Sequence, residues 1–236
     1  MIALLAALAL APAALPAHVS VTACTHGADP AAAFEARMHA IGRTSRMQMR
    51  FTLQARTGES PEWRPVAAPG FGAWLTSERG VARFVYVKRV EQLLAPAAYR
   101  AVVRFRWLDA AGRRLASARA PSGRCFQPDP RPNLVLRRLL VEPAAAQGER
   151  RYVAIVANRG RRASGPFAVD FSVAETPLGR VSAGGLAPGD VARIRLTGPE
   201  CIAGAEVTAV ADHDGAIDER DETDNRLSVP CPPSGA

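Results

Sequence analysis

Lysine is all but missing from this chain. Lys88 is the only one, so nearly all of the 30 basic side chains are arginine, and against 22 acidic ones they leave a net charge of +8. The arginines are scattered along segments of alternating polarity, never more than two in succession, without a basic run or a helical pattern to carry one. That spacing argues against a nucleic-acid partner. No apolar stretch of about 20 residues follows the N-terminal one, which excludes a later membrane-spanning helix. Catalytic signatures are lacking as well. His18, His26, His39 and His213 form no HExxH or HxH pair, Ser164 and Ser182 sit in turn-forming contexts without GxSxG, and no glycine-rich phosphate loop occurs. The sequence therefore predicts a protein that is not an enzyme.

What is present begins with an Ala/Leu-rich run over residues 2–15, followed by the small-residue site Leu15-Pro16-Ala17. It has signal-peptide length, although without a positively charged start, and predicts a leader over 1–17 and a secreted, extracellular product. A competing reading takes Val21-Thr22-Ala23-Cys24 as a lipobox with an acylated Cys24. Four cysteines in an exported chain predict two disulfides. The pairing expected is Cys24–Cys125 and Cys201–Cys231, each bracketing one domain. In the second case an antiparallel hairpin turning near Ala216 pairs residues whose numbers total 432, as 201 and 231 do.

The rest reads as strands. Met47, Met49, Phe51 and Leu53 alternate with Arg46, Gln48, Arg50, Thr52 and Gln54, and Tyr99, Ala101, Val103, Phe105 and Trp107 with Arg100, Arg104 and Arg106. Period 2 predicts half-buried strands. Residues 33–41 are ambiguous between strand and short helix, with strand preferred. Leu94, Pro96 and Tyr99 have the spacing of a tyrosine corner, in which the phenol satisfies backbone at a sheet corner. Trp63, Trp74 and Trp107 offer the components of an aromatic groove. Many short strands joined by Gly/Pro turns predict an all-β fold, two immunoglobulin-like β-sandwich domains in tandem: 18–127, a proline-rich linker over 128–132, then 133–231 with a tail over 232–236. Charge divides unevenly. Residues 24–132 carry 18 basic and 8 acidic side chains, and 133–236 carry 12 and 14.

From Asn133 the motifs become specific: Asn133-Leu134-Val135-Leu136, Tyr152 to Asn158-Arg159-Gly160, Ala163 to Val169, Gly185-Leu186-Ala187-Pro188-Gly189-Asp190, and Val207 to Asp212 with Glu219, Glu222 and Asn225. Together they resemble the CARDB domain, the cell-adhesion-related module found in bacteria. The resemblance implies an immunoglobulin-like sandwich with a surface or adhesion role and no catalysis. Asp224-Asn225 departs from the family's paired asparagines. Asn158 and Gly160 suit a turn in which Asn tolerates left-handed geometry and Gly supplies it.

Asp212, Asp214, Asp218, Glu219, Asp221, Glu222 and Asp224 crowd one loop with only Arg220 among them. Asp212, Asp214 and Asp218 with Glu219 and Glu222 are candidate calcium ligands, since hard cations take carboxylate oxygens, but the spacing is not that of an EF-hand. The expectation weighted above it is that these carboxylates cap turns or face solvent. The function expected is non-catalytic binding or adhesion to a protein or polysaccharide of the cell envelope. A spacer module without a ligand is the alternative, and a hydrolase with a hidden site a further one.

Overall fold

The computed structural model describes residues 15–58, 60 and 62–233; residues 1–14, the body of the expected leader, lie outside them. Two compact units divide between Pro128 and Asp129. Every strand pair in both is antiparallel.

Among the described residues the first unit holds nine strands: β1 (Ala17–Thr25), β2 (Ala31–His39), β3 (Arg46–Thr57), β4 (Arg64–Val66), β5 (Trp74–Thr76), β6 (Arg83–Val90), β7 (Ala97–Leu108), β8 (Arg114–Pro121) and β9 (Cys125–Gln127). One sheet runs β1-β2-β6. The other runs β4-β3-β7-β8, with β5 added to β3 and β9 to β7. The alternation read from sequence sets the core. Met47, Met49, Phe51 and Leu53 point inward beside Trp107, Phe105, Val103 and Ala101, and Phe34, Ala36 and Met38 of β2 share that core. Each large apolar side chain buried there contributes about 1.5–3 kcal/mol. The ambiguous segment is strand β2. Tyr99 closes the corner expected of it, its hydroxyl donating to the Leu94 carbonyl at 3.0 Å.

β6 is an edge strand, paired only with β2. Register sets Lys88 opposite Phe34, hence on the inner face, where its ammonium lies 5.2 Å from the Tyr86 ring centre. A charge aimed inward from an edge strand discourages another strand from adding there.

The second unit holds β10 (Leu134–Pro143), β11 (Glu149–Asn158), β12 (Phe167–Val173), β13 (Thr176–Ala183), β14 (Val191–Pro199), β15 (Glu206–Ala211) and β16 (Arg226–Pro230). Sheets β10-β11-β14 and β13-β12-β15-β16 enclose Leu134, Tyr152, Val169, Phe171, Val207 and Ile217. The segment 129–132 is tied to this unit. Asp129 accepts from the Arg131 backbone and guanidinium, and the Pro132 carbonyl accepts from the Arg220 amide at 3.0 Å.

Both disulfides are formed, with Cα separations of 5.4 Å for Cys24–Cys125 and 6.1 Å for Cys201–Cys231. The first corrects the lipobox alternative. Cys24 lies inside β1 opposite Ala32, so cleavage before it would remove most of the strand, and its sulfur is bonded to Cys125. The second corrects the route to the right bridge. The expected register sets Val207 opposite Asn225, whereas Val207 faces Val229, four residues further along.

Candidate functional site

The acidic stretch between β15 and β16 is an ordered cap over one end of the second sandwich, plugged into the core by buried Ile217. Its carboxylates have been given separate structural tasks. Asp212 accepts from the Ile217 amide at 2.9 Å. Glu219, buried, accepts from the Leu134 amide and from Asn225 Nδ2. Glu222 accepts from the Glu219 amide at 3.2 Å and from Asn225 Nδ2 at 3.1 Å. Asp221 takes the amide and hydroxyl of Thr223, and Asp224 takes Asn133 Nδ2. Two further aspartates find arginines from outside the loop: Asp214 binds Arg180 through two hydrogen bonds of 2.7 and 2.9 Å, and Asp218 binds Arg131 at 2.7 Å.

The candidate calcium ligands Asp212, Asp214, Asp218, Glu219 and Glu222 are each engaged in this way, which is the turn-capping expectation weighted above a cation site. Among the described residues no group of three or more His, Cys, Asp or Glu side chains could hold a metal ion. Repulsion among these carboxylates is relieved by Arg131 and Arg180 and by backbone amides. Local charges follow. Arg180 draws the Asp214 carboxyl below the ordinary carboxylate range, and the Thr223 hydroxyl and amide do the same for Asp221. Burial pushes Glu219 the other way, to about 7.

Asn158 and Gly160 act differently from the turn geometry expected of them, since neither takes a positive φ. Asn158 is a buried hub. Its Oδ1 accepts from the Asn133 and Gly160 amides, and its Nδ2 donates to the Arg162 and Leu186 carbonyls at 2.7 and 2.8 Å. Gly160 lies against the Pro132 backbone, where a side chain would collide.

Beside the cap, the outer face of β13-β12-β15-β16 forms a groove of about 610 Å³. Register sets Ser172, Thr208 and Ser228 opposite one another across three adjacent strands, so their side chains share this face. Thr208 and Ser228 hydrogen-bond each other at 2.7 Å. The next row toward the cap is Arg180, Asp170, Val210 and Arg226, with Arg180 gripping Asp170 by two bonds of 2.7 Å. Glu206 and Glu175 line the other end, at the β12–β13 turn where Ala174 and Glu175 hold φ of 44° and 67°. Sequence reasoning did not find this groove, because no single segment contains it.

The tryptophans do not make a common groove. Trp107 is buried, with Nε1 donating to the His39 carbonyl at 2.7 Å. Trp63 lies beneath Arg100 and Arg56, and Trp74 beneath Arg106. Ser164, a serine weighed for catalysis, has a turn role, accepting from the Leu186 amide. His213 lines the groove.

The CARDB family model matches residues 131–229. No curated protein matches the chain. Among solved structures, a CARDB domain from Pyrococcus furiosus, described in complex with di-metal ions, is 15% identical, with 43% of this chain and 88% of that one covered at a TM-score of 0.38. A Methanosarcina acetivorans domain, from a protein whose name places it at the cell surface, is 20% identical over 44% of this chain and 94% of that one, with a TM-score of 0.39. Red sea bream transglutaminase is 13% identical, with 92% of this chain and 31% of that one covered and a TM-score of 0.34.

Proposed function

Because residues 131–229 form a CARDB domain, we propose that this chain is an exported, non-catalytic binding or adhesion protein that recognises a protein or polysaccharide of the cell envelope. The groove over β12, β15 and β16 is its site on that domain. The observation that carries this reading is the groove's polar lining: Ser172 stands between the carboxylate end at Glu175 and Glu206 and the guanidinium of Arg226, beside the buried Thr208 hydroxyl that Ser228 bonds from the next strand. Such a surface offers donors and acceptors to a polar ligand. It does not pair a nucleophile with a base, since the Thr208 hydroxyl bonds that of Ser228 and not a histidine or carboxylate. Two disulfides favour an oxidising compartment. The di-metal ions described for the Pyrococcus domain are not carried over, because among the described residues no three His, Cys, Asp or Glu side chains converge.

Arrays of glycans and peptides probed with the full chain test the proposal. Saturable binding that weakens in the Ser172→Ala/Ser228→Ala variant supports the groove. Binding unaffected by that variant removes the groove as its site, and silence across broad arrays favours a spacer role.

A further inference from the structure

The strands of the larger sheet of the first unit carry nine arginines, Arg46, Arg50, Arg56, Arg64, Arg100, Arg104, Arg106, Arg114 and Arg119, and no aspartate, glutamate or lysine. The alternation that sends Met47, Phe51 and Phe105 inward sends the arginines between them outward. Register then brings separate strands together. Arg50 lies opposite Arg104, and Arg104 opposite Arg119, which makes a row of three like charges across adjacent strands. Such juxtapositions are destabilising. Among the described residues the only ion pair made by any of the nine is that of Arg64 with Glu62, at 3.7 Å between two exposed side chains. Burial, with added repulsion from Arg119 and Arg56, pulls the Arg100 guanidinium below its ordinary value.

Tryptophans are interleaved with this charge. Arg106 stacks on Trp74 at 3.9 Å from the ring centre, and Arg100 and Arg56 lie 4.3 and 5.3 Å from that of Trp63. A guanidinium seated over an indole has less freedom to lose on binding a planar anion through two bonds; Arg100 also donates its Nε–H to Gln54 Oε1 at 2.9 Å, which leaves its terminal N–H groups for a ligand. A shallow depression of about 370 Å³ runs between Trp74, Arg104, Arg106 and Arg119. From Arg46 to Arg56 the face extends about 33 Å at roughly 3.3 Å per residue.

We propose that this arginine face binds a linear acidic polysaccharide, with carboxylates or sulfates on successive sugar rings received by guanidiniums on successive strands. Within the row of Arg50, Arg104 and Arg119 the strands that carry the guanidiniums are about 4.8 Å apart, a repeat close to that of charges along such a chain. Charge complementarity selects a polyanion. Nucleic acid is disfavoured by the two disulfides, which mark an oxidising compartment. An anionic membrane is disfavoured because Trp63 and Trp74 are half-buried beneath arginines instead of exposed for insertion. The proposal extends the surface-binding reading to a second face and does not depend on the groove of the other unit.

The test measures binding of the full chain to polygalacturonate over a range of salt, with neutral dextran, duplex DNA and phosphatidylglycerol vesicles as comparison probes. Polygalacturonate is expected to bind, dextran not, and binding is expected to weaken with salt. The Arg50→Gln/Arg104→Gln/Arg119→Gln variant is expected to lose about tenfold or more in affinity. That variant removes like-charge contacts, so its melting temperature should hold or rise, which separates lost binding from lost folding. A charge-matched control, Arg161→Gln/Arg162→Gln/Arg195→Gln on the other unit, should lose about threefold at most. The groove variant Ser172→Ala/Ser228→Ala should bind polygalacturonate as the parent does. Equal losses in the arginine-face variant and the control reduce the effect to net charge and overturn the proposal. Tighter binding to DNA or to vesicles than to polygalacturonate overturns it in favour of that partner.

Discussion

Ala205, and not Cys201, lies opposite Cys231: the Cys231 amide donates to the Ala205 carbonyl at 2.8 Å. Cys201 reaches its partner through a turn at 202–205, closed by the Ala205 amide on the Ile202 carbonyl and by the Gly204 amide on the Cys231 carbonyl. The bridge therefore staples the entry of the β15–β16 hairpin and encloses the whole acidic cap. In the chain-entropy account a bridge spanning 30 residues stabilises by about 3–4 kcal/mol. Cys201→Ala/Cys231→Ala is expected to lose about that much, read from urea unfolding of the second unit. A loss well under 1 kcal/mol would show that the cap is held by its hydrogen bonds alone.

Glu219 gives stability a dependence on pH in an unusual direction. Burial raises its carboxyl from 4.5 to about 7, although the Leu134 amide and the Asn225 side chain oppose the shift. An acid with a raised folded pKa favours the fold when protonated. Its contribution is complete below the unfolded value, declines as pH rises, and is gone above about 7. The size is on the order of 1–3 kcal/mol. Urea midpoints are expected to fall across that window, and Glu219→Gln to flatten the profile; an unchanged slope in the variant would assign it elsewhere.

Tyr99→Phe deletes the bond to the Leu94 carbonyl and leaves that acceptor unpaired. The first unit should lose about 1–2 kcal/mol. Tyr86→Phe, on a half-exposed ring, is the comparison and should change stability by less than about 0.5 kcal/mol. Equal effects of the two changes would discount the corner.

At the β12–β13 turn, Ala174 and Glu175 both occupy left-handed geometry, φ 44° and 67°, which side chains disfavour by roughly 1–2 kcal/mol each. Two-residue turns of this hand prefer Asn-Gly. Ala174→Asn/Glu175→Gly should stabilise the second unit by about 1–2 kcal/mol in denaturant titrations. A loss of stability would mean that the turn has another conformation.

Calcium should do little. Asp214 and Asp218 already hold Arg180 and Arg131, so millimolar calcium is expected to leave the melting temperature where a chelator leaves it. A rise that grows with the logarithm of calcium concentration would restore a cation site to the cap.

What was legible in the sequence was what period 2 records. Met47, Met49, Phe51 and Leu53 announce the buried face of β3 because alternation is local, and Tyr99 announces its corner because Leu94 stands close by in the chain. Contacts across the sheet were not legible. Alternation says which face a side chain takes but not which strand lies alongside, so Arg50, Arg104 and Arg119 read as isolated charges until register joined them. Arg180 and Arg131 were missed as partners of the acidic loop because they stand 34 and 87 residues away from Asp214 and Asp218. Asn158 and Gly160 were assigned to backbone conformation when the first acts through hydrogen bonds and the second through close approach. Turn propensity and burial draw on the same residue types, and only the surroundings separate them.

The lone lysine has a practical consequence. Lys88, on the smaller sheet of the first sandwich, supplies the chain's only side-chain amine. Amine-directed chemistry will therefore label or tether the side chains of this protein at one known point. The arginine face lies on the other sheet, and amine-directed reagents do not attack guanidinium, so labelling at Lys88 leaves that face chemically intact.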